Sequence, residues 1–145
     1  MKNGLIILLT AVAAFATGIG ATLLSDLFLG SDYFMSEVLI SPRGNYRATR
    51  FEEVGAIFYC NEVVLVTQAD LSFSPKHPKQ YIPYTVFGAS CSTRTRIQWA
   101  GENKLLISYD SGDDGRKPDD PALRKTDPSG KVAIAYRILP REEMQ

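Results

Sequence analysis

Apolar residues fall into two patterns along this chain. Gly4 to Leu24, GLIILLTAVAAFATGIGATLL, is a run of 21 residues without a charge. At about 1.5 Å per residue, a helix of that length spans roughly 31 Å, the thickness of a bilayer's hydrocarbon core. From residue 36 onward the chain instead shows short β-branched or alternating stretches separated by turn chemistry. Glu37–Ser41 and Tyr46–Glu52 flank Pro42-Arg43-Gly44-Asn45, which supplies the proline and glycine of a tight turn. Ala56–Thr67 and Tyr81–Phe87 are rich in β-branched and aromatic residues. Cys91–Trp99 alternates, with Cys91, Thr93, Thr95, Ile97 and Trp99 on one face and Ser92, Arg94, Arg96 and Gln98 on the other. Ala100-Gly101-Glu102-Asn103 turns the chain into Lys104–Tyr109, and Lys131–Leu139 alternates again.

These elements predict a mainly β fold. An N-terminal transmembrane helix precedes a small antiparallel sandwich or curled sheet of about seven strands. The expected organisation is an anchor over residues 1–25, a juxtamembrane linker over 26–35 and an extracytoplasmic β-rich domain over 36–145. Tyr33, Phe34 and Met35 either rest at the membrane–water interface or pack on the domain. Gln68–Gln80 and Ser111–Gly130 read as loops, the second long and charged.

The apolar run is read as an uncleaved anchor. Ala11-Val12-Ala13 and Ala14-Phe15-Ala16 offer signal-type cleavage sites, but cutting there leaves a mature chain that starts with more apolar residues. A cleaved signal is the alternative. Lys2 precedes the run and the next cation is Arg43, so the positive-inside rule puts the N-terminus in the cytoplasm. The expected location is therefore the bacterial inner membrane, single-pass, with a periplasmic domain. Small residues recur four apart (Ala14 and Gly18, Ala16 and Gly20, Thr17 and Ala21), a spacing that allows helix pairing and a homo-oligomer.

Charge narrows the classes of partner. The chain carries 16 basic and 16 acidic residues, so nothing in its balance marks a nucleic-acid binder. Arg94 and Arg96 share the polar face of one strand, and Arg47 and Arg50 lie on another. If those strands are neighbours, they make a basic stripe suited to an acidic protein partner. Cys60 and Cys91, the only cysteines, are predicted to form a disulfide, since the domain is placed in an oxidising compartment.

Candidate chemistry fails test by test. His77, the only histidine, sits between Lys76 and Pro78 with no oriented partner in sight. Asp110-Ser111-Gly112-Asp113-Asp114-Gly115 is a poor calcium loop, with glycine at its third position and Pro121 where a bidentate Glu is needed. The adjacent pairs Asp113/Asp114, Asp119/Asp120 and Glu52/Glu53 cannot face each other across a cleft as a glycosidase requires. No cofactor and no metal is expected.

The segment SEVLISPRGNYRATRFEEVGAIFYCNEVVLV resembles the opening of a family of small bacterial envelope proteins of unknown function. Ser41, Pro42, Gly44 and Tyr46 match that family's serine-proline-x-glycine hairpin, and Gly55-Ala56 matches its glycine-alanine stretch. Weaker similarity runs through Trp99, Leu105-Leu106-Ile107 and the last strand. The resemblance implies an envelope location and no activity. The function expected from the chain is a membrane-anchored periplasmic protein-binding module without catalysis, such as an immunity protein neutralising a toxin. The alternatives are an accessory or stability subunit of an envelope complex, and a hydrolase with an unrecognised site.

Overall fold

The computed structural model describes residues 31–55, 59–71, 73–74, 78–110 and 122–144. The described residues form eight strands: β1 (Ser31–Ile40), β2 (Tyr46–Gly55), β3 (Tyr59–Gln68), β4 (Thr85–Ser90), β5 (Thr95–Gly101), β6 (Lys104–Tyr109), β7 (Ala122–Leu123) and β8 (Ala133–Ile138). They form a five-stranded sheet in the order β1-β2-β3-β4-β7 and a three-stranded sheet in the order β5-β6-β8. Two short 3₁₀ segments, Pro78–Tyr84 and Arg141–Met144, complete the described structure.

The expected fold class is corrected in two respects. No helix of the described residues is long and apolar enough to cross a membrane. The physical reason is that their apolar residues are shared out by alternation along short strands, so none supplies the roughly 20 consecutive apolar residues a span requires. The predicted anchor over residues 1–25 and its small-residue pairing stripe lie outside the described residues. The transmembrane element, and the single-pass inner-membrane placement with a periplasmic domain, are therefore set aside. The second correction is that the sheets are not wholly antiparallel: β6 and β8 run parallel, from Lys104↔Ala133 to Tyr109↔Ile138.

Boundaries moved where side-chain pattern and backbone geometry disagree. Ser31–Met35, expected as linker, is the first half of β1 and pairs with Gly55–Phe51. Tyr81–Phe87 was expected as strand, but the chain runs as a 3₁₀ segment through Tyr84, with Pro83 inside it, and becomes strand only at Thr85. Cys91–Arg94 is a turn that leads into β5. The Pro42–Asn45 turn forms as expected: Gly44 takes φ 78°, and its N–H donates to the Ser41 carbonyl at 2.8 Å.

The main core lies between the two sheets. Ala48, Val64, Val66 and Phe87 from the larger sheet meet Ile97, Leu105, Ile107 and Ile134 from the smaller. A second cluster covers the opposite face of the larger sheet. There Phe51 and Leu65 are buried beneath Tyr81, with Leu71, Phe73 and Tyr84 packed around them.

Polar ties cross between the sheets. Glu102, in the β5–β6 hairpin, accepts hydrogen bonds from Ser41 Oγ (3.0 Å), Asn45 Nδ2 (2.8 Å) and Arg43 N (2.5 Å), latching the first turn to the other sheet. Trp99 Nε1 donates to the Leu39 carbonyl at 3.2 Å. The Tyr136 hydroxyl, on β8, lies 2.6 Å from the Val86 carbonyl and accepts from Arg124 N at 3.1 Å. Burial pushes this phenol up to about 12 against the opposing effect of the Arg124 hydrogen bond. The Cys60–Cys91 disulfide is formed, with Cα atoms 5.4 Å apart, and joins β3 to the turn before β5.

Candidate functional site

Alternation within the three-stranded sheet sorts its residues onto two faces. Thr95, Ile97, Leu105, Ile107, Tyr109 and Ile134 are buried and face the larger sheet. The positions between them, Arg96 and Gln98, Lys104, Leu106 and Ser108, and Ala133, Ala135 and Arg137, form the outer face, where Ser108 is buried beneath its neighbours. None of the three strands contains an acidic residue. Arg96 pairs with Ser108, which pairs in turn with Arg137, so one small residue separates two guanidinium-bearing positions. At about 4.8 Å between strands, their backbones stand roughly 10 Å apart. Lys104 is exposed on the same face.

Arg94 extends this face just before β5. Its backbone N–H donates to Asp110 Oδ1 at 3.0 Å, and the Asp110 N–H returns a bond to the Arg94 carbonyl at 3.2 Å. Asp110, 1% exposed, is buried at the end of β6, with Arg141 Nε 3.8 Å from its other oxygen. In the sequence this acid is the first position of the poor calcium loop. It serves instead to fix the turn that presents Arg94. The remaining acidic loop positions, Asp113–Asp120, and His77 lie outside the described residues.

Arg47 and Arg50 do not join the basic face. Both are on β2, in the other sheet, and their positions point to opposite sides of it. The condition for a four-arginine stripe, neighbouring strands, is not met. Arg50 is also committed locally: Nε lies 3.2 Å from Glu37 Oε2 and Nη1 lies 3.0 Å from Glu62 Oε1. Glu62 is 5% exposed, and burial pushes its carboxyl above the ordinary range although Arg50 pulls the other way.

Lys104 and Arg137 escaped the sequence reading. Their strands were legible, but nothing local to either states that residues 104–109 and 133–138 pair side by side. Among the described residues, one group of potential metal-ligand atoms lies close together: Glu52, Cys60 and Cys91. Both sulfurs are bound in the disulfide and offer no thiolate.

The arrangement is a sheet face of four cations, Arg94, Arg96, Lys104 and Arg137, over a floor of small and apolar side chains. Strand pairing fixes where each cation starts, so an anionic surface meets them at little backbone ordering cost. Chemically, such a face can attract and orient anions. Compared with family models, curated proteins and solved structures, the chain matches none of them.

Proposed function

We propose that the chain is a non-catalytic protein-binding module whose three-stranded sheet presents Arg94, Arg96, Lys104 and Arg137 to an acidic surface of another protein. The single observation that carries this reading is the charge segregation: outward-facing cations on strands that hold no acid. An overall balance of 16 basic and 16 acidic residues argues for a local, short-range electrostatic match rather than attraction to a polyanion such as nucleic acid. Complementary rim charges of this kind raise association rates and set specificity. The toxin-neutralising and accessory-subunit forms of this reading share the surface and differ only in the partner.

The test is affinity capture with the wild type and with the Arg96→Glu, Arg137→Glu double variant. The wild type retains a partner whose recovery falls with added salt. The double variant loses that partner while its thermal unfolding stays within a few degrees of wild type, because both side chains are exposed. Equal capture by a folded double variant would place the binding surface elsewhere.

A further inference from the structure

The outer face of the five-stranded sheet holds a cavity of about 250 Å³, bordered by the second apolar cluster and away from the basic face. Its floor is the row Phe51–Val63–Gly88, with Leu65 beside it. The 3₁₀ segment supplies a wall through Tyr81. At the other end stands a cross-strand row of Tyr33, Glu53 and Asn61. Gly88 leaves its part of the floor without a side chain.

Two properties distinguish this cavity from a packing gap. The first is aromatic continuity. Tyr33, Phe51, Phe73 and Tyr81 form a connected series, with centroids 5.9 Å apart for Tyr33–Phe51, 4.4 Å for Phe51–Phe73 and 5.1 Å for Phe73–Tyr81. The second is a carboxylate that accepts a hydrogen bond from a phenol. Glu53 Oε1 accepts from Tyr33 Oη at 3.0 Å, and no Lys or Arg of the described residues forms an ion pair with it. Burial, then Glu53, pushes both the Tyr33 and Tyr59 phenols above their ordinary value, so the negative charge is felt across this end of the site. Asn61 Nδ2 donates to Tyr59 Oη and holds that second phenol in place.

We propose that this cavity binds an organic ammonium group, with its carbons against Phe51, Val63, Leu65 and Tyr81 and its charge between the Glu53 carboxylate and the Tyr33 ring. A cation over π-rings gains from their quadrupole, and the gain rises when the group is desolvated. An anion is repelled by Glu53. A neutral ligand shields the carboxylate from water without replacing the lost solvation. The space suits a head group: at roughly 30 Å³ per water it corresponds to about eight waters. An ammonium group reaches such a site as a free alkylamine or as a methylated lysine side chain of another protein. The cavity lies on the other sheet from the basic face, and neither assignment depends on the other.

The experiment is a titration of isotope-labelled protein followed by amide NMR, with three probes: choline, its neutral isostere 3,3-dimethylbutan-1-ol, and a short trimethyllysine peptide. Choline is expected to give saturable shifts at Phe51, Glu53 and Val63, with Kd on the order of 1 mM for so small a ligand. The isostere is expected to bind at least ~10-fold more weakly. Glu53→Gln keeps an oxygen for Tyr33 to donate to, so the fold survives, and it should bring choline down to the isostere's affinity. Tighter binding of the peptide than of choline assigns the source to a protein side chain, and the reverse order assigns it to a free amine. The proposal is overturned if neither cation gives saturable shifts, or if the isostere binds as well as choline. Unchanged choline binding to a folded Glu53→Gln variant overturns it too.

Discussion

Replacing Cys60 and Cys91 together by alanine opens a bridge that spans 31 residues of sequence and joins the end of one sheet to the entrance of the other. In the chain-entropy model, releasing a loop of that length returns roughly 3.7 kcal/mol of freedom to the unfolded chain at 25 °C. The native state changes little in comparison. Cys91 N donates to the Cys60 carbonyl at 3.2 Å, and the shared core packs the sheets independently of the sulfurs. The expected loss is therefore about 3–4 kcal/mol, a large share of the stability of a domain this size. It corresponds to a fall of about 15 °C in Tm. Urea unfolding of the oxidised wild type, the reduced wild type and the double alanine variant is the assay. The last two should coincide and show a larger m-value, because an uncrosslinked unfolded chain exposes more surface. A loss below about 1 kcal/mol with an unchanged m-value would refute the argument that the bridge acts on the unfolded state. Two thiols alkylated at once in the native protein would remove its premise.

Other expectations can be checked on the same material. Tyr136→Phe removes the hydroxyl that ties β8 to Val86 and Arg124 and should cost about 0.5–1.5 kcal/mol, read by denaturant unfolding, since the Val86 carbonyl still accepts from Arg124 N at 3.0 Å. Phe87→Ala, at a position fully buried between the sheets, should cost about 3–5 kcal/mol in the same measurement. The pH dependence of Tm should show two opposite contributions. Glu102 and Asp127 are held below the ordinary carboxylate range because hydrogen bonds from Arg43 N and Ser41, and from Ser129 and Val132, outweigh desolvation. Their stabilisation is present above the ordinary values of 4.5 and 3.8 and disappears as pH falls through the lowered folded values. Glu62 has the opposite sign: burial raises it, so its contribution is full below 4.5 and is lost as pH rises through the folded value. Glu62→Gln should accordingly raise Tm at neutral pH and lose that advantage in acid. A Tm of this variant lower than wild type at neutral pH would show that the Arg50 pair outweighs desolvation.

What could be read from residues alone was whatever depends on a few neighbours. Pro42-Arg43-Gly44-Asn45 specifies its turn because proline presets one dihedral and Gly44 accepts a positive φ. The alternation of Thr95, Ile97 and Trp99 against Arg96 and Gln98 assigned faces correctly, because a strand's side-chain period is fixed by the backbone. The partners of the disulfide were legible because two cysteines allow a single intramolecular pairing, whereas the compartment argument for its formation rested on a placement now set aside.

Tertiary structure decided everything that joins distant segments. Hydrophobic alternation in residues 133–138 fits a strand beside any partner, and only the shared core seats it parallel to β6. That pairing brings Arg137 next to Arg96 across Ser108, while β2 falls in the other sheet and carries Arg47 and Arg50 away. Tyr81 has the side chain of a strand residue, yet it lies in a 3₁₀ segment because Phe51 and Leu65 need a cover on the outer face and Pro83 interrupts pairing. Asp110 and Glu102 look alike as surface acids in the sequence. One is buried beside Arg141 and accepts from Arg94 N, and the other is clasped by a turn 57 to 61 residues away, because the folded chain brings donors distant in sequence onto each carboxylate. Local sterics set faces and turns, whereas the pairing of sheets follows from burying those faces together, a condition no short stretch of sequence can state by itself.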